Sequence, residues 1–229
     1  MRDDDLFERA VSWAAATVGE AEMLAARQRF EERTGPIAED APDYESRMAH
    51  FIEQTMCEPR GGGTLVEAFA AASPSLPAES LRQLAGWLRS HRSLYAFDGF
   101  RGGRGHVRDL VGGGLYRFSP QGADEQLSVG DRFDGRLLSL AAGIYLSTGR
   151  VYHPRAAHAA MDQLLAAPQA QGLPAGSLLD GLMRMRTRLM NFGTIRPEHV
   201  YRVDALSDDY FAASWARPDR RQAPPSESS

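Results

Sequence analysis

Residues 93–118 read SLYAFDGFRGGRGHVRDLVGGGLYRF, and the fold prediction starts from this stretch. Apolar and aromatic side chains alternate with polar ones, a period of two that is typical of half-buried β-strands. Glycine-rich segments at 102–105 and 112–114 indicate turns between the strands. Similar short segments follow at 132–140 (RFDGRLLSL) and 143–153 (GIYLSTGRVYH). The pattern predicts five short antiparallel strands that form a curled sheet or a small barrel.

Helical patterns flank the predicted sheet on both sides. Apolar residues recur every three or four positions, and Pro or Gly ends several of the runs. N-terminal helices are predicted over 4–33, at about 43–57, after the capping residue Thr64, and at about 78–90. C-terminal helices are predicted from Pro154 and at about 177–192, with weaker helical signals in RPEHVYRVDA and SDDYFAASWA. The fold class is therefore α+β, with the sheet between two sets of helices.

Charge divides the chain of 229 residues unevenly. Residues 1–60 contain 7 Arg and 14 Asp or Glu, a net charge of −7, whereas residues 87–155 contain 10 Arg and 6 acids, a net charge of +4. We divide the chain into an acidic helical region (1–60), a helix-flanked β module (61–166), a C-terminal helical region (167–216) and a disordered tail (217–229). The basic middle is modest beside a dedicated nucleic-acid-binding domain.

Composition excludes several kinds of chemistry. All 26 basic residues are Arg, which excludes lysine-anchored pyridoxal phosphate, the P-loop and the protein kinases. Cys57 is the single cysteine, which excludes disulfides, zinc ribbons and iron–sulfur clusters. We therefore predict no metal and no cofactor. The Met1-Arg2-Asp3 start has the wrong charge for a signal peptide, and no apolar run approaches 18 residues, so we expect a cytoplasmic protein without a membrane span.

Three sequence cues carry a family resemblance. They are RDLV-GGG (108–114), GDRFDGRL (130–137) and VYHP (151–154). With the segments around them, they resemble an uncharacterised bacterial group whose members often carry a C-terminal SEC-C metal-binding motif. The resemblance covers about half of the chain, and the cysteine cluster of the SEC-C motif is absent after Trp215. It implies a β-rich module flanked by helices. The group has no established activity, so no catalytic residue is transferred from it.

The segment around the first glycine-rich turn is the predicted binding site. Arg101, Arg104 and Arg108 would present forked hydrogen-bond donors, and His106 lies among them. Phosphate, carboxylate or a nucleic-acid backbone would match these donors. The alternative interpretation is a hairpin in which the glycines serve the turn and the arginines are solvated or paired with Asp98 and Asp109.

Three further clusters have a structural alternative that we favour. Asp131 and Asp134 could act as acid and base, but Asp134 shares a strand face with two arginines and we expect an ordinary surface salt bridge. His153 and His158 diverge on a helix, so a metal would need Asp162 and further ligands. The third cluster is expected to form a partly exposed polar face on one helix. Its members are His50, Glu53 and Cys57.

Two larger sets are also predicted to be structural. The C-terminal helix carries arginines and methionines that could bind a partner, but we favour a core helix with a solvated arginine edge. The strand aromatics could form a base-stacking platform, but we favour the interior of the barrel. The helix set is Arg184, Arg186, Arg188, Met183, Met185 and Met190. The aromatic set is Tyr95, Phe97, Tyr116, Phe118, Tyr145 and Tyr152.

Three functions stay open from the sequence. The first is a non-enzymatic interaction or regulatory protein that binds a protein partner through the arginine- and glycine-rich loop and adjacent helices. The second is a nucleic-acid-binding β module, which the net charge of −4 disfavours. The third is an enzyme that uses Asp134, His153 or His158 in one pocket. The identity of the partner and the oligomeric state do not follow from the sequence.

Overall fold

The computed structural model describes residues 3–192 and 194–207. Helices come first, an antiparallel sheet follows and helices return, which confirms the α+β prediction. The first helices are α1 (Asp3–Val18), α2 (Glu20–Thr34), α3 (Tyr44–Cys57), α4 (Leu65–Ala72) and α5 (Ala78–Leu88). The helices after the sheet are α6 (His158–Ala166), α7 (Pro168–Gln171) and α8 (Ala175–Asn191).

The sheet curls into a half-barrel. Its strands are β1 (His91–Arg101), β2 (Arg104–Asp109), β3 (Leu115–Phe118), β4 (Arg132–Leu140), β5 (Gly143–Leu146) and β6 (Val151–His153). The order is β3-β2-β1-β4-β5, and β6 pairs with β4 beside β5. The two edges approach each other where the Ser119 amide donates a hydrogen bond of 2.7 Å to the Ile144 carbonyl. The curled five-stranded sheet predicted from the sequence is confirmed, except that its last strand is divided into β5 and β6.

Aromatic and aliphatic side chains fill the inside of the half-barrel. Tyr95, Phe97 and Phe118 are fully buried there, as the alternation predicts, and they contact Phe133 and Leu137. Tyr152 differs because it lies at the short strand β6 and stays partly exposed. Burial of these rings stabilises the curled form of the sheet through the hydrophobic effect.

Further cores attach the helices, and two of them are the largest. On the opposite face of the sheet, Leu94 packs with residues of α6 and α8, including Met161, Leu182 and Met185. A separate core joins α1, α3, α4 and α5. Its buried members include Leu6, Ala10, Met56, Val66, Phe69 and Leu84. The sheet therefore has a filled inner face and a second face that is covered in part by helices.

Some predicted helices have different limits in the structure. The single helix over 4–33 is divided at Gly19, because glycine is a weak helix former, and α2 packs separately against α8. The Thr64 cap is confirmed, since its hydroxyl accepts from the Glu67 amide. The segment RPEHVYRVDA forms two 3₁₀ turns, Pro197–His199 and Val203–Leu206. Residues 208–216 and the predicted disordered tail at 217–229 lie outside the described residues.

The division between β5 and β6 positions helix α3. Residues 147–150 leave the sheet between the two strands, and Gly149 packs directly against α3. The Gly149 amide donates to Glu53 Oε1 at 2.8 Å, and its carbonyl accepts from His50 Nδ1 at 2.8 Å. A Cβ on Gly149 would lie 2.8 Å from the Glu53 carboxyl and 2.8 Å from His50 Cα. Only glycine permits this approach of the two backbones.

We expect Gly149→Ala to destabilise the fold by about 2 kcal/mol, because the added methyl group forces α3 away from the sheet. Urea unfolding of the full chain measures the loss. Gly62→Ala is the matched control, since a Cβ at Gly62 meets no atom within 4 Å. Equal stability of the two variants would show that α3 does not depend on this contact.

Candidate functional site

The four predicted binding residues lie on one face of the sheet. Arg104, His106 and Arg108 alternate along β2, while Val107 between them points into the half-barrel. Arg101 lies opposite Arg104 across the hairpin. Within the part of the chain that the structure describes, the three arginines on this outer face of β1 and β2 are exposed.

The turn between β1 and β2 is a two-residue hairpin of Gly102 and Gly103. Both glycines have positive φ angles, 56° and 71°, which a tight hairpin turn of this type requires. Arg104 donates to the Ser119 hydroxyl at the rim of the half-barrel. The glycines thus serve the turn, and the turn places Arg101 and Arg104 side by side at its base.

Of the two acidic partners proposed for the arginines, Asp98 is confirmed and Asp109 is wrong. Arg108 donates two hydrogen bonds of 3.1 Å to the Asp98 carboxylate. Asp109 instead binds His91 at 2.7 Å and accepts from the Val111 and Gly112 amides of the following turn. Burial alone would raise the pKa of Asp109, but its hydrogen bonds outweigh burial and hold that pKa below the ordinary value. Asp109 therefore stabilises the turn and leaves Arg101 and Arg104 without its charge.

Two residues of β3 complete this surface, and the sequence analysis missed both. Arg117 lies opposite His106, and Leu115 lies opposite Arg108 with 76% of its surface exposed. Together with Asp98 and Arg101 they line a groove of about 340 Å³. The alternation in LYRF (115–118) indicates that Leu115 and Arg117 lie on the same face of a strand. Which residues of β2 they lie opposite depends on the register of β2 and β3, which the sequence does not give. We call the surface of Arg101, Arg104, His106, Arg108, Leu115 and Arg117 the basic face.

The basic face carries unpaired positive charge. Within the described residues, no carboxylate lies within 4 Å of Arg101 or Arg117, whereas Asp98 is paired with Arg108. Exposed arginines next to an exposed leucine are suited to carboxylates that flank an apolar side chain. The arrangement can bind an anionic partner.

A second cluster lies buried between the sheet and the helices. Asp134 of β4 accepts two hydrogen bonds from Arg92 of β1, at 3.1 and 2.8 Å, and Arg92 also donates to Asp180 of α8 at 3.0 Å. Asp134 and Arg92 are both shielded from solvent. The expected salt bridge of Asp134 is present, but the expectation of a surface pair with Arg132 or Arg136 is wrong, because helices cover this part of the sheet.

His50 of α3 approaches the same carboxylate. Its Nε2 lies 3.8 Å from Asp134 Oδ2, and its Nδ1 donates to the Gly149 carbonyl. Burial lowers the pKa of His50 to about 4, although Asp134 acts in the opposite direction. His50 is therefore neutral near pH 7, with its proton on Nδ1 and Nε2 facing the carboxylate.

The predicted exposed face of α3 is wrong. His50, Glu53 and Cys57 are all buried. Gly149, in the segment between β5 and β6, packs against His50 and Glu53, and Cys57 belongs to the core that joins α1, α3, α4 and α5. Burial raises the pKa of Glu53, and it raises the pKa of the Cys57 thiol to about 12. A thiol in this state is neither a nucleophile nor a metal ligand.

The predicted histidine pair does not form a metal site. His153 binds the Tyr201 hydroxyl through Nδ1 at 2.8 Å, while His158 Nε2 lies 3.4 Å from the His153 carbonyl. Asp162 is held by Arg132 through two hydrogen bonds of 2.8 and 2.9 Å. No group of three His, Cys, Asp or Glu residues able to hold a metal occurs in the part of the chain that the structure describes.

In the structure, the residues of the catalytic hypothesis lie in different surroundings. Asp134 and His153 share one face of the sheet, but only 1% and 4% of their surfaces are exposed, so a substrate in solution reaches neither. His158 is partly exposed at the start of α6. Asp131 lies outside the buried cluster and pairs with Arg155 at 2.7 Å. These residues therefore do not share one accessible pocket.

The predicted solvated arginine edge of α8 is also wrong in part. Arg184 and Arg186 are buried, because α2, α3, the 3₁₀ turn at 203–206 and β6 surround the helix. Arg184 donates to the Leu206 carbonyl at 3.2 Å, and Arg186 donates to the Tyr152 carbonyl and to Asp43. Arg184 and Arg186 therefore make contacts within the fold and do not form a solvated edge.

Comparison with protein-family models, with curated proteins and with solved structures finds no match for the chain. The resemblance to SEC-C-associated proteins therefore stays a prediction. None of the helices within 3–192 and 194–207 combines the length and apolar composition of a membrane span.

The stability of the fold should fall as the pH is lowered from 7 to 5. Burial lowers the pKa of His153 to about 3, whereas an unfolded histidine titrates at about 6.5. Between these values the unfolded chain binds the extra proton, so the stability is complete above pH 6.5 and declines below it. His153→Gln should reduce the slope by about 1.4 kcal/mol per pH unit, as measured by urea unfolding at several pH values.

The exposed His199→Gln is the matched control for this slope. Glu53 has the opposite effect on the pH dependence of stability, because its raised pKa makes the folded state bind a proton more strongly than the unfolded state. An unchanged slope in His153→Gln would show that His153 does not titrate between the two states in this range.

Asp134→Asn should destabilise the protein by about 3 kcal/mol, because it removes the buried carboxylate that accepts two hydrogen bonds from Arg92 and leaves Asp180 as its other hydrogen-bonded counter-charge. Asp204→Asn, in the exposed pair of Arg202 and Asp204, should change stability by less than about 1 kcal/mol. Denaturant unfolding of both variants measures the two losses of stability. Similar losses would show that Arg92 is in contact with solvent and does not depend on Asp134.

Proposed function

We propose that this protein is a non-enzymatic interaction module that binds an acidic segment of a protein partner on the basic face. The observation that carries the proposal is a groove lined by the exposed Leu115 together with Arg101 and Arg117, both without a carboxylate partner among the described residues. Arginine enrichment and an exposed apolar anchor are features of protein-binding surfaces.

The chemistry of the groove defines the partner segment. Two carboxylates spaced to reach Arg101 and Arg117 would form charge-assisted hydrogen bonds. An apolar side chain next to the carboxylate on Arg117 would cover Leu115 and remove its surface from water. Asp98 is occupied by Arg108 and lies on one wall of the groove, so a basic segment would meet repulsion from the neighbouring arginines.

The surroundings favour a protein over a nucleic acid. Binding of single strands relies on exposed aromatic rings that stack on bases, but none of the six side chains of the basic face is a Phe, Tyr or Trp, and Tyr95, Phe97 and Phe118 lie inside the half-barrel. The chain also carries a net charge of −4, which repels a polyanion at long range. A short acidic segment needs contact with the basic face alone.

We also propose that the protein is located in the cytoplasm. The lone Cys57 is buried and unpaired, so the fold depends on no disulfide and needs no oxidising compartment.

A synthetic peptide of alternating Glu and Leu, labelled for fluorescence anisotropy, tests the proposal on the full chain. We expect saturable binding to the wild type. The double variant Arg101→Glu and Arg117→Glu should weaken binding by at least about tenfold, which corresponds to about 1.4 kcal/mol. Both residues are exposed, so the thermal midpoint should stay that of the wild type.

Arg89→Glu with Arg196→Glu is the matched control, because it makes the same charge change at exposed arginines outside the basic face. Leu115→Ser should weaken binding of the Glu-Leu peptide and leave binding of a Glu-Gly peptide unchanged. Equal binding by the two double variants contradicts the proposal. Tighter binding of a single-stranded oligonucleotide, lost steeply with salt, would instead support nucleic-acid recognition.

A further inference from the structure

A second cleft lies between the loop after α2 and helix α8, away from the basic face. Its volume is about 260 Å³, and Arg47 of α3 and Arg186 of α8 form its charged floor. The walls are mostly apolar. They include Pro36, Ile37, Ala38, Ala41, Pro42, Tyr44 and Met190.

Arg47 is a buried cation without an acidic partner. It is 3% exposed and donates to three neutral acceptors, which are the Thr187 hydroxyl, the Thr34 hydroxyl and the Gly35 carbonyl. Within the described residues, no carboxylate lies within 4 Å of its guanidinium. Its Nε–H is buried and has no acceptor. Buried arginines are almost always paired with a counter-charge.

The second arginine adds positive charge to the same cleft. Arg186 donates to Asp43 Oδ2 and to the Tyr152 carbonyl, so one carboxylate serves it directly. Burial and the charge of Arg186 lower the pKa of Arg47 to about 10, and Asp43 acts in the opposite direction. Asp40 also lies on the wall of the cleft, and the titratable groups that bear on Arg47 include Glu31 and Asp134. At the floor itself, two guanidiniums face one carboxylate.

We propose that this cleft is a binding site for a small oxyanion, either a phosphate or a carboxylate on a compact apolar molecule. The anion supplies the counter-charge that Arg47 lacks and accepts hydrogen bonds from Arg47 and Arg186. The apolar walls cover the carbon part of the molecule. Arginine is suited to this role because its planar fork matches both anions.

The size of the cleft limits the ligand. Since a water molecule takes about 30 Å³ in the liquid, the cleft holds the equivalent of about nine waters. An anionic group with a few carbon atoms fits this space. The cleft and the basic face have no residue in common, so the two sites can be tested separately.

Isothermal titration of the full chain with inorganic phosphate, and separately with acetate, tests the site at constant ionic strength set with chloride. We expect saturable binding of at least one probe and a rise of the thermal midpoint with its concentration. Arg47→Lys keeps the charge and loses the fork, so it should weaken binding about tenfold. Asp43→Asn removes the competing carboxylate and should strengthen binding about tenfold.

The Arg101→Glu and Arg117→Glu double variant is the control, because it should leave the affinity for the small anion unchanged. A preference for phosphate over acetate, or the reverse, identifies the anionic group. The proposal is overturned if neither probe binds the wild type or Asp43→Asn. It is also overturned if the basic-face double variant abolishes binding while Arg47→Lys and Asp43→Asn leave it unchanged.

Discussion

The ion pair between Arg92 and Asp134 is the interaction on which the arrangement of the sheet and its helices depends. It crosses from β1 to β4 at the centre of the sheet, and its outer groups meet α3 through His50 and α8 through Asp180. A carboxylate in this position must be compensated because burial of an unpaired charge is costly. The pairing therefore requires the strands to keep their register and both helices to cover the pair.

Helix coverage explains why one sheet has two kinds of surface. Around Leu94 and Asp134 the outer face is sealed by helices, so its polar groups are buried and serve the fold. Toward the hairpin and β3, no described helix covers the same face at Arg101, His106 and Arg117, and these residues line a groove. The chemistry of exposed arginines differs from that of buried ones because only the exposed ones can exchange water for a ligand.

The exclusive use of arginine suits the buried polar layer. Several guanidiniums are largely or fully buried, and arginine keeps its charge in such a position whereas lysine readily loses a proton. The fork also lets one residue bridge several acceptors, as Arg92 does with Asp134 and Asp180. Arg47 differs from Arg92 in that its acceptors are neutral, which is why its cleft attracts a further ligand.

The sequence by itself determined the local structure. Period-two alternation predicted the strands, glycine pairs predicted the hairpin, and threefold and fourfold spacing predicted most helices, because these properties depend on neighbouring residues. The same alternation placed Arg104, His106 and Arg108 on one face of a strand. What lies on each face depends on residues far along the chain, and this only the tertiary structure decided. In the tertiary structure His50, Glu53 and Arg186 are buried, Arg117 lies beside His106, and Arg47 and Arg186 line the same cleft. Solvent exposure and charge pairing are set by packing between distant segments, so the local sequence does not determine them.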